Sequence, residues 1–281
     1  MRLFSEIKSN LTEDEVKNLT EAGFYKLQPG IESLSDVVLK LMNKGNTAIN
    51  HIALLKYAQK HSVFLLWNFM YGFPGEYFET YEELCELMPL IYHLPAPTGG
   101  VQVAYHRNSV YCDNPEKYSL KLTPSPVYDY FAPDDQEFIN DYAYFFEDHS
   151  ENEEKRKHPV YKKFNDSISH WINVYYNGNA RLDMIVFEDR IKIFDTREIR
   201  VKSRYELTEL SREIYLLCSS PKSYKTITET FTESYGKDEI DSCLTELENL
   251  KLLLRIKDEF LSLAVERPQE FLFSLLFMNA G

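Results

Sequence analysis

A chain of 281 residues, 44% of them apolar, is long enough for one large or two ordinary domains and too apolar to be disordered. Its formal net charge of -13 argues against non-specific attraction to nucleic acid or to an anionic membrane, and either favours a basic peptide as partner or simply keeps the protein in solution. No run approaches the roughly eighteen apolar residues of a membrane helix, and Met1-Arg2-Leu3-Phe4-Ser5-Glu6 lacks the apolar stretch of a secretory signal, so the expectation is a cytoplasmic protein.

Residues 3–9 read as the end of a strand. Thr12, with Glu15 three residues on, forms a capping pattern for a helix that runs to Ala22 and stops at Gly23. A short strand over 24–27 is then broken by Pro29-Gly30. Ser35 or Asp36 caps a short helix through Met42, ended by Gly45, and Thr47 opens a longer one to Lys60, apolar on one side at Ile49, Ile52, Ala53 and Leu55. Residues 63–70 are almost continuously apolar, as in a parallel strand buried on both faces, and a helix over 78–87 follows. The order predicts α/β architecture with loops at the carboxyl ends of the strands.

From 92 to 133 prolines interrupt the chain repeatedly, and one short strand is expected over 101–105. Aromatics concentrate between Tyr105 and Tyr176, where they serve either a core or a binding surface. Residues 136–148 read as an aromatic helix. The charged run His149 to His158 is the candidate boundary, giving a first domain over 1–150 and a second over 160–281. In the second, a helix near 160–175 leads to a hairpin about Glu188-Asp189. Three helical segments follow: one through Leu207, Leu210, Ile214 and Leu217, one over 223–235 stopped by Gly236, and one carrying Ile240, Leu244 and Leu247. A hairpin turning at Lys257-Asp258-Glu259 completes a winged-helix-like α+β layout. The last of these helices carries Asp238, Glu239, Asp241, Glu246 and Glu248, which argues for protein or peptide docking rather than nucleic acid.

Cys85, Cys112, Cys218 and Cys243 are widely spaced and without metal-binding pattern, so no metal ligands are assigned. Two strand-end motifs stand out, Gln28-Pro29-Gly30-Ile31-Glu32-Ser33 and Gly72-Phe73-Pro74-Gly75-Glu76. Gly30 permits close backbone approach, while Glu32 and Ser33 offer a carboxylate and a hydroxyl. Each motif alone is equally a solvated turn, but together they suggest one ligand crevice.

With Ser5-Glu6-Ile7-Lys8-Ser9-Asn10-Leu11, Leu41-Met42-Asn43-Lys44-Gly45 and Trp67-Asn68, these motifs resemble a radical S-adenosylmethionine enzyme. More narrowly, they resemble the cobalamin-binding type that matures ribosomally made peptides. The likeness continues through His93-Leu94, Arg107-Asn108-Ser109 and Asp195-Thr196-Arg197. It implies an incomplete (β/α) barrel entered near the family's third strand. S-adenosylmethionine would meet Glu6, Gly30, Glu32, Ser33, Gly72, Pro74 and Gly75, and substrate would meet Tyr105, His106 and Arg107. The full-length family also implies a four-iron cluster on a Cys-x-x-x-Cys-x-x-Cys loop, a cobalamin, and C-methyl transfer. That cysteine loop does not occur in this sequence. Two readings follow: the C-terminal part of a split or truncated peptide-modifying enzyme, inactive without a separate N-terminal half, or a cluster-free protein that binds a precursor peptide or a partner.

Overall fold

The computed structural model describes residues 2–132 and 135–270. Its first region is built from β1 (Leu3–Ile7), α1 (Glu13–Glu21), β2 (Phe24–Pro29), α2 (Asp36–Leu41), α3 (Ala48–Lys60), β3 (Phe64–Leu65), β4 (Phe69–Tyr71), α4 (Phe78–Ile91) and β5 (Gly100–Gln102). β1, β2 and β3 pair in parallel in that order, and β4 pairs in parallel with β5. The 64–71 stretch joins the two pieces, because Leu66 and Met70 donate to the carbonyls of Leu27 and Glu32 on one side while Phe69 donates to Gly99 on the other. The result is a mixed α/β region whose parallel strands all end at one rim.

The Thr12–Glu15 capping box is present as expected: the Glu15 carboxylate takes the Thr12 N–H at 2.7 Å, and Gly23 follows the helix at φ 95°. Several local expectations fail for long-range reasons. β2 runs on through Pro29, paired with Ile7, rather than ending at Leu27. Asn43, at φ 54°, terminates α2 in place of Gly45, and the Asp36 carboxylate caps α3 by accepting from Ala48 N–H at 2.8 Å. α3 is buried nearly all round rather than on one face.

The 63–70 segment is not one strand buried on both sides. Pro29 has no N–H and the chain turns away at Gly30, so the ladder to β2 lapses after the Leu66 N–H, which still reaches the Leu27 carbonyl, until a bridge between Glu32 and Phe69 resumes the pairing. Leu65, Trp67 and Phe69 are buried under the helices, whereas Phe64 (41% exposed), Asn68, Glu6 and Gln28 lie on the open face. On that face the Lys26 ammonium sits between the Phe4 and Phe64 rings, 5.9 and 5.6 Å from their centroids.

The middle of the chain forms a small antiparallel sheet. Its strands are β6 (Tyr105–His106), β7 (Leu122–Pro124) and β8 (Phe145–Asp148) in the order β6-β8-β7, with helices α5 (Val110–Asp113) and α6 (Gln136–Tyr142) in the connections. The aromatic helix expected over 136–148 therefore ends at Tyr142, because Phe145 and Phe146 pair with His106 and Tyr105. The strand expected over 101–105 is likewise divided between β5 and β6.

After α7 (Glu151–Lys155), α8 (Pro159–Tyr176) lies along α4 and inserts Phe164 and Trp171 against Phe69 and Trp67. β9 (Leu182–Val186), β10 (Arg190–Asp195) and β11 (Arg204–Thr208) form an antiparallel sheet, as the hairpin at Glu188-Asp189 predicted. Leu207 belongs to β11 rather than to the helix after it.

Then follow α9 (Glu209–Leu217), β12 (Lys222–Ser223), α10 (Tyr224–Phe231), α11 (Lys237–Asn249), β13 (Leu253–Ile256), β14 (Glu259–Ser262) and β15 (Val265–Glu266). β13 and β14 form a hairpin with β12 on its other edge, and β15 returns parallel to β9. Gly236 is the N-cap of α11, where Glu239 reaches back to its N–H at 3.2 Å, and not the stop of α10. One apolar core runs from Val16 in α1 to Val265 in β15, so the two expected regions share their interior. The last eleven residues of the second region, 271–281, lie outside the described residues. Among those described, no helix is long and apolar enough to cross a membrane.

Candidate functional site

At the carboxyl rim of the parallel strands is a cleft of about 550 Å³, lined from β1, β2, β4, β5 and the segments between them by Glu6 and Ile7, 28–30, Glu32, 66–68, Met70, Thr98 and Val101. Glu6 and Gln28 are register partners on β1 and β2, so their side chains share a face. Asn68 occupies the gap in the third strand where the ladder is interrupted.

Glu32 is held at φ 56°, an uncommon conformation for this side chain, between two tight turns: Ile31 N–H donates to Pro29 at 2.9 Å and Ser33 N–H to Ile31 at 2.6 Å. The Lys44 ammonium reaches the Glu32 carboxylate at 2.9 Å. A β-carbon on Gly30 would lie 3.4 Å from that ammonium, so glycine keeps the space before the Glu32–Lys44 pair clear.

Beneath the cleft, His51 locks the loop. Its Nδ1 lies 2.9 Å from the Ser33 carbonyl and its Nε2 the same distance from Ser9 Oγ. A carbonyl can only accept, so Nδ1 carries the proton and Nε2 accepts from the Ser9 hydroxyl. Burial lowers the pKa of this imidazole below its ordinary value, the Ser33 hydrogen bond opposing, which keeps the ring neutral at physiological pH.

The 72–76 loop flanks the cleft without lining it. Gly72 and Gly75 sit at φ 83° and 88°. The Glu76 carboxylate takes the Gly72 N–H at 2.8 Å and the hydroxyls of Tyr81 and Tyr161. Burial raises the Glu76 pKa, and these donors act against it. Glu76 thus fixes the loop's shape rather than facing open space.

Of the sequence-derived residues, the structure brings Glu6, Gly30 and Glu32 together in the cleft. Ser33 is 1% exposed, with its hydroxyl accepting from Ser35 N–H at 3.2 Å. Pro74 stays with Gly72 and Gly75 in the flanking loop. Tyr105, His106 and Arg107 are elsewhere. Tyr105 belongs to a separate small core with Val38, Phe73, Val103 and Leu120, and its ring faces the Arg156 guanidinium at 5.0 Å. It lines a second cavity of about 570 Å³ with Gln102 and Arg156. His106 stacks on Tyr144, and Arg107 donates to the carbonyls of Ala143 and Asn140 at 2.6 and 2.5 Å. Gln28 and Asn68 in the cleft, and Lys44 as the partner of Glu32, are groups that sequence reasoning did not assign; all three stood in the quoted motifs, and folding brings them to this rim.

In combination, Glu32, Lys44, Gly30 and Asn68 offer a carboxylate, an ammonium, an unobstructed backbone and an amide at one rim. Such a set suits a zwitterionic ligand that also carries hydroxyls. Residues 2–88 match the family model described as the radical SAM superfamily. Except for Thr98 and Val101, the cleft residues all fall in that stretch.

Among solved structures, the archaeal Elp3 of Methanocaldococcus infernus with residues 1–46 deleted is 14% identical, at a TM-score of 0.38, over 69% of this chain and 52% of that one. Coproporphyrinogen III oxidase (HemN) from Escherichia coli, described as a radical SAM enzyme, is 12% identical, at a TM-score of 0.37, over 93% of this chain and 66% of that one. The chain thus spans about half the length of the first and 66% of the second. No curated protein matches. Among the described residues no group of three His, Cys, Asp or Glu could hold a metal ion, and the four cysteines lie on separate elements.

Proposed function

We propose that the strand-end cleft binds S-adenosylmethionine and that this chain is the cofactor-holding part of a radical S-adenosylmethionine enzyme of peptide modification, of the C-methyltransferase type. The observation that carries the reading is the convergence of Glu6, Gly30, Glu32, Lys44 and Asn68 at one rim within the segment that matches the superfamily. The residues fit the cofactor. Glu32 takes its ammonium, Lys44 its carboxylate, and Asn68 or Glu6 a ribose hydroxyl, while Gly30 leaves room for close approach. Bound there, S-adenosylmethionine supplies a methyl group or a deoxyadenosyl radical.

The residues do not fit a four-iron cluster, which needs three thiolates in one loop. In this reading the thiolates, and any cobalamin, come from outside these 281 residues. The open face carrying Phe4 and Phe64, both at least 41% exposed, and β1, paired on one side only among the described strands, support docking of further strands from a separate enzyme half that completes the barrel.

The run of α9, β12, α10, α11 and the β13–β14 hairpin we read as a winged-helix-like module that receives the precursor peptide. Its acidic α11 favours protein over nucleic acid. A second reading, a cluster-free protein that binds peptide or partner without catalysis, is favoured by the scattered thiols.

Titration calorimetry with S-adenosylmethionine tests the first claim. The chain binds it, and Glu32→Gln or Lys44→Met weakens binding about tenfold. Absence of binding by the wild-type chain sinks the proposal. Incubation with iron and sulfide is expected to give no four-iron absorption, and a stable cluster contradicts the assignment of external ligands.

A further inference from the structure

The segment from 127 to 148 contains neither Lys nor Arg, and it exposes aromatic rings. Tyr130 is 89% and Tyr142 70% exposed, with Phe138, Tyr144 and Phe145 between 45% and 50%. These rings are held in place by the backbone beneath them. Phe138 stacks on Tyr142 at 4.5 Å, and Tyr144 meets Phe145 edge-on at 4.9 Å. The Tyr128 hydroxyl accepts from the N–H groups of both Tyr144 and Phe145, tying the 126–130 turn to the start of β8.

Cations beside the patch are engaged elsewhere: Arg107 donates to the carbonyls of Ala143 and Asn140, where it fixes the end of α6 against β6, and Arg156 and Lys157, which line a cavity with Phe145 and Phe146, pair with Glu153 and Glu154. Asp129, Glu137 and Asp141 share this surface and make no ion pair with described residues.

Exposed rings alone would suit any apolar occupant, and charge decides between them. A second copy placed face to face would set the same carboxylates against each other, in a chain already at -13. An anionic membrane is repelled for the same reason. A basic polypeptide segment gains on both counts, since a guanidinium or ammonium lies favourably over a Tyr or Phe face while pairing with a neighbouring carboxylate. We infer that the aromatic and acidic surface of residues 127–132 and 135–148 docks an Arg- or Lys-bearing polypeptide segment. This surface is separate from the strand-end cleft, so the inference stands or falls independently of the cofactor reading.

Fluorescence anisotropy on the full chain tests it, with labelled dodecapeptides of alternating Arg and Ala or alternating Glu and Ala. The Arg peptide binds and the Glu peptide does not. The exposed pair Tyr130→Ser and Tyr142→Ser, or the set Asp129→Asn, Glu137→Gln and Asp141→Asn, weakens the Arg peptide about fivefold or more. Neutralising the exposed Glu82 and Glu83 on α4 leaves its affinity unchanged. Circular dichroism on each variant confirms the fold. Equal weakening by the α4 variant, or none by the patch variants, overturns the proposal. So does a sedimentation result in which the wild-type chain dimerises and the Tyr130→Ser, Tyr142→Ser variant is monomeric.

Discussion

The seam between the parallel sheet and the C-terminal elements, and the cleft at the strand ends, both hold polar groups, but on opposite terms. In the seam, protein partners take up nearly all of them. The Lys56 ammonium donates to the carbonyls of Ser219 and Ser262 at 3.0 and 2.6 Å and to the Ser262 hydroxyl at 3.0 Å. Arg197 grips Asp195 through two nitrogens and adds the carbonyls of Leu90 and Lys251, with both side chains about 1% exposed or less. His93 meets Leu263 carbonyl at 2.9 Å, leaving its Nδ1 as the exception. In the cleft, Glu6, Gln28 and Asn68 face open volume, and the Glu32–Lys44 pair remains about a third exposed. Satisfied polar groups fasten elements together; groups with spare donors and acceptors are those a ligand can use.

Breaking the seam has the largest expected effect. Arg197→Leu leaves a buried carboxylate unpaired and costs about 3–5 kcal/mol, read by urea denaturation. A loss under about 1 kcal/mol means the pair is not the fastening it looks to be.

The flanking loop comes next. Gly72→Ala forces a side chain into φ 83° and 2.9 Å from Gln102 Cγ, a cost of about 1–3 kcal/mol in the same assay. In the cleft, Glu32→Gln should leave stability within about 0.5 kcal/mol of wild type while lowering cofactor affinity, the reverse of the Arg197 pattern. A large stability loss would move Glu32 to the structural side of the comparison.

The smallest effect is a slope. Burial pushes the Lys56 ammonium down to about 7 from its ordinary value of 10.5. The unfolded chain therefore binds more protons than the native one above pH 7, and stability rises with pH from there, by up to about 1.4 kcal/mol per unit. The window closes near pH 9, where the buried Cys218 thiol, raised to about 12, begins to act in the opposite sense. Lys56→Met removes the rise between pH 7 and 8.5 in denaturation curves; an unchanged slope assigns it to another group.

What the sequence made legible follows from the range of the forces involved. The capping box at Thr12 and Glu15 and the hairpin at Glu188-Asp189 depend on neighbours a few residues away, and both were read correctly. Asp36 capping a helix twelve residues on, the division of 136–148 into α6 and β8, and the interruption at 66–68 all depend on distant partners that periodicity does not register. The site divides in the same way. Strand-end position pointed to Gly30 and Glu32, and the family resemblance added Glu6. Lys44 enters from the loop after α2, and the burial of Ser33 depends on its packing above His51.

The central claim is that the strand-end cleft holds S-adenosylmethionine. A crystal structure of the chain soaked with that compound tests it directly. The account predicts density within the cleft, with the amino group at Glu32 and the carboxylate toward Lys44. Density at any other place, or a cleft filled by solvent alone under saturating compound, would contradict it.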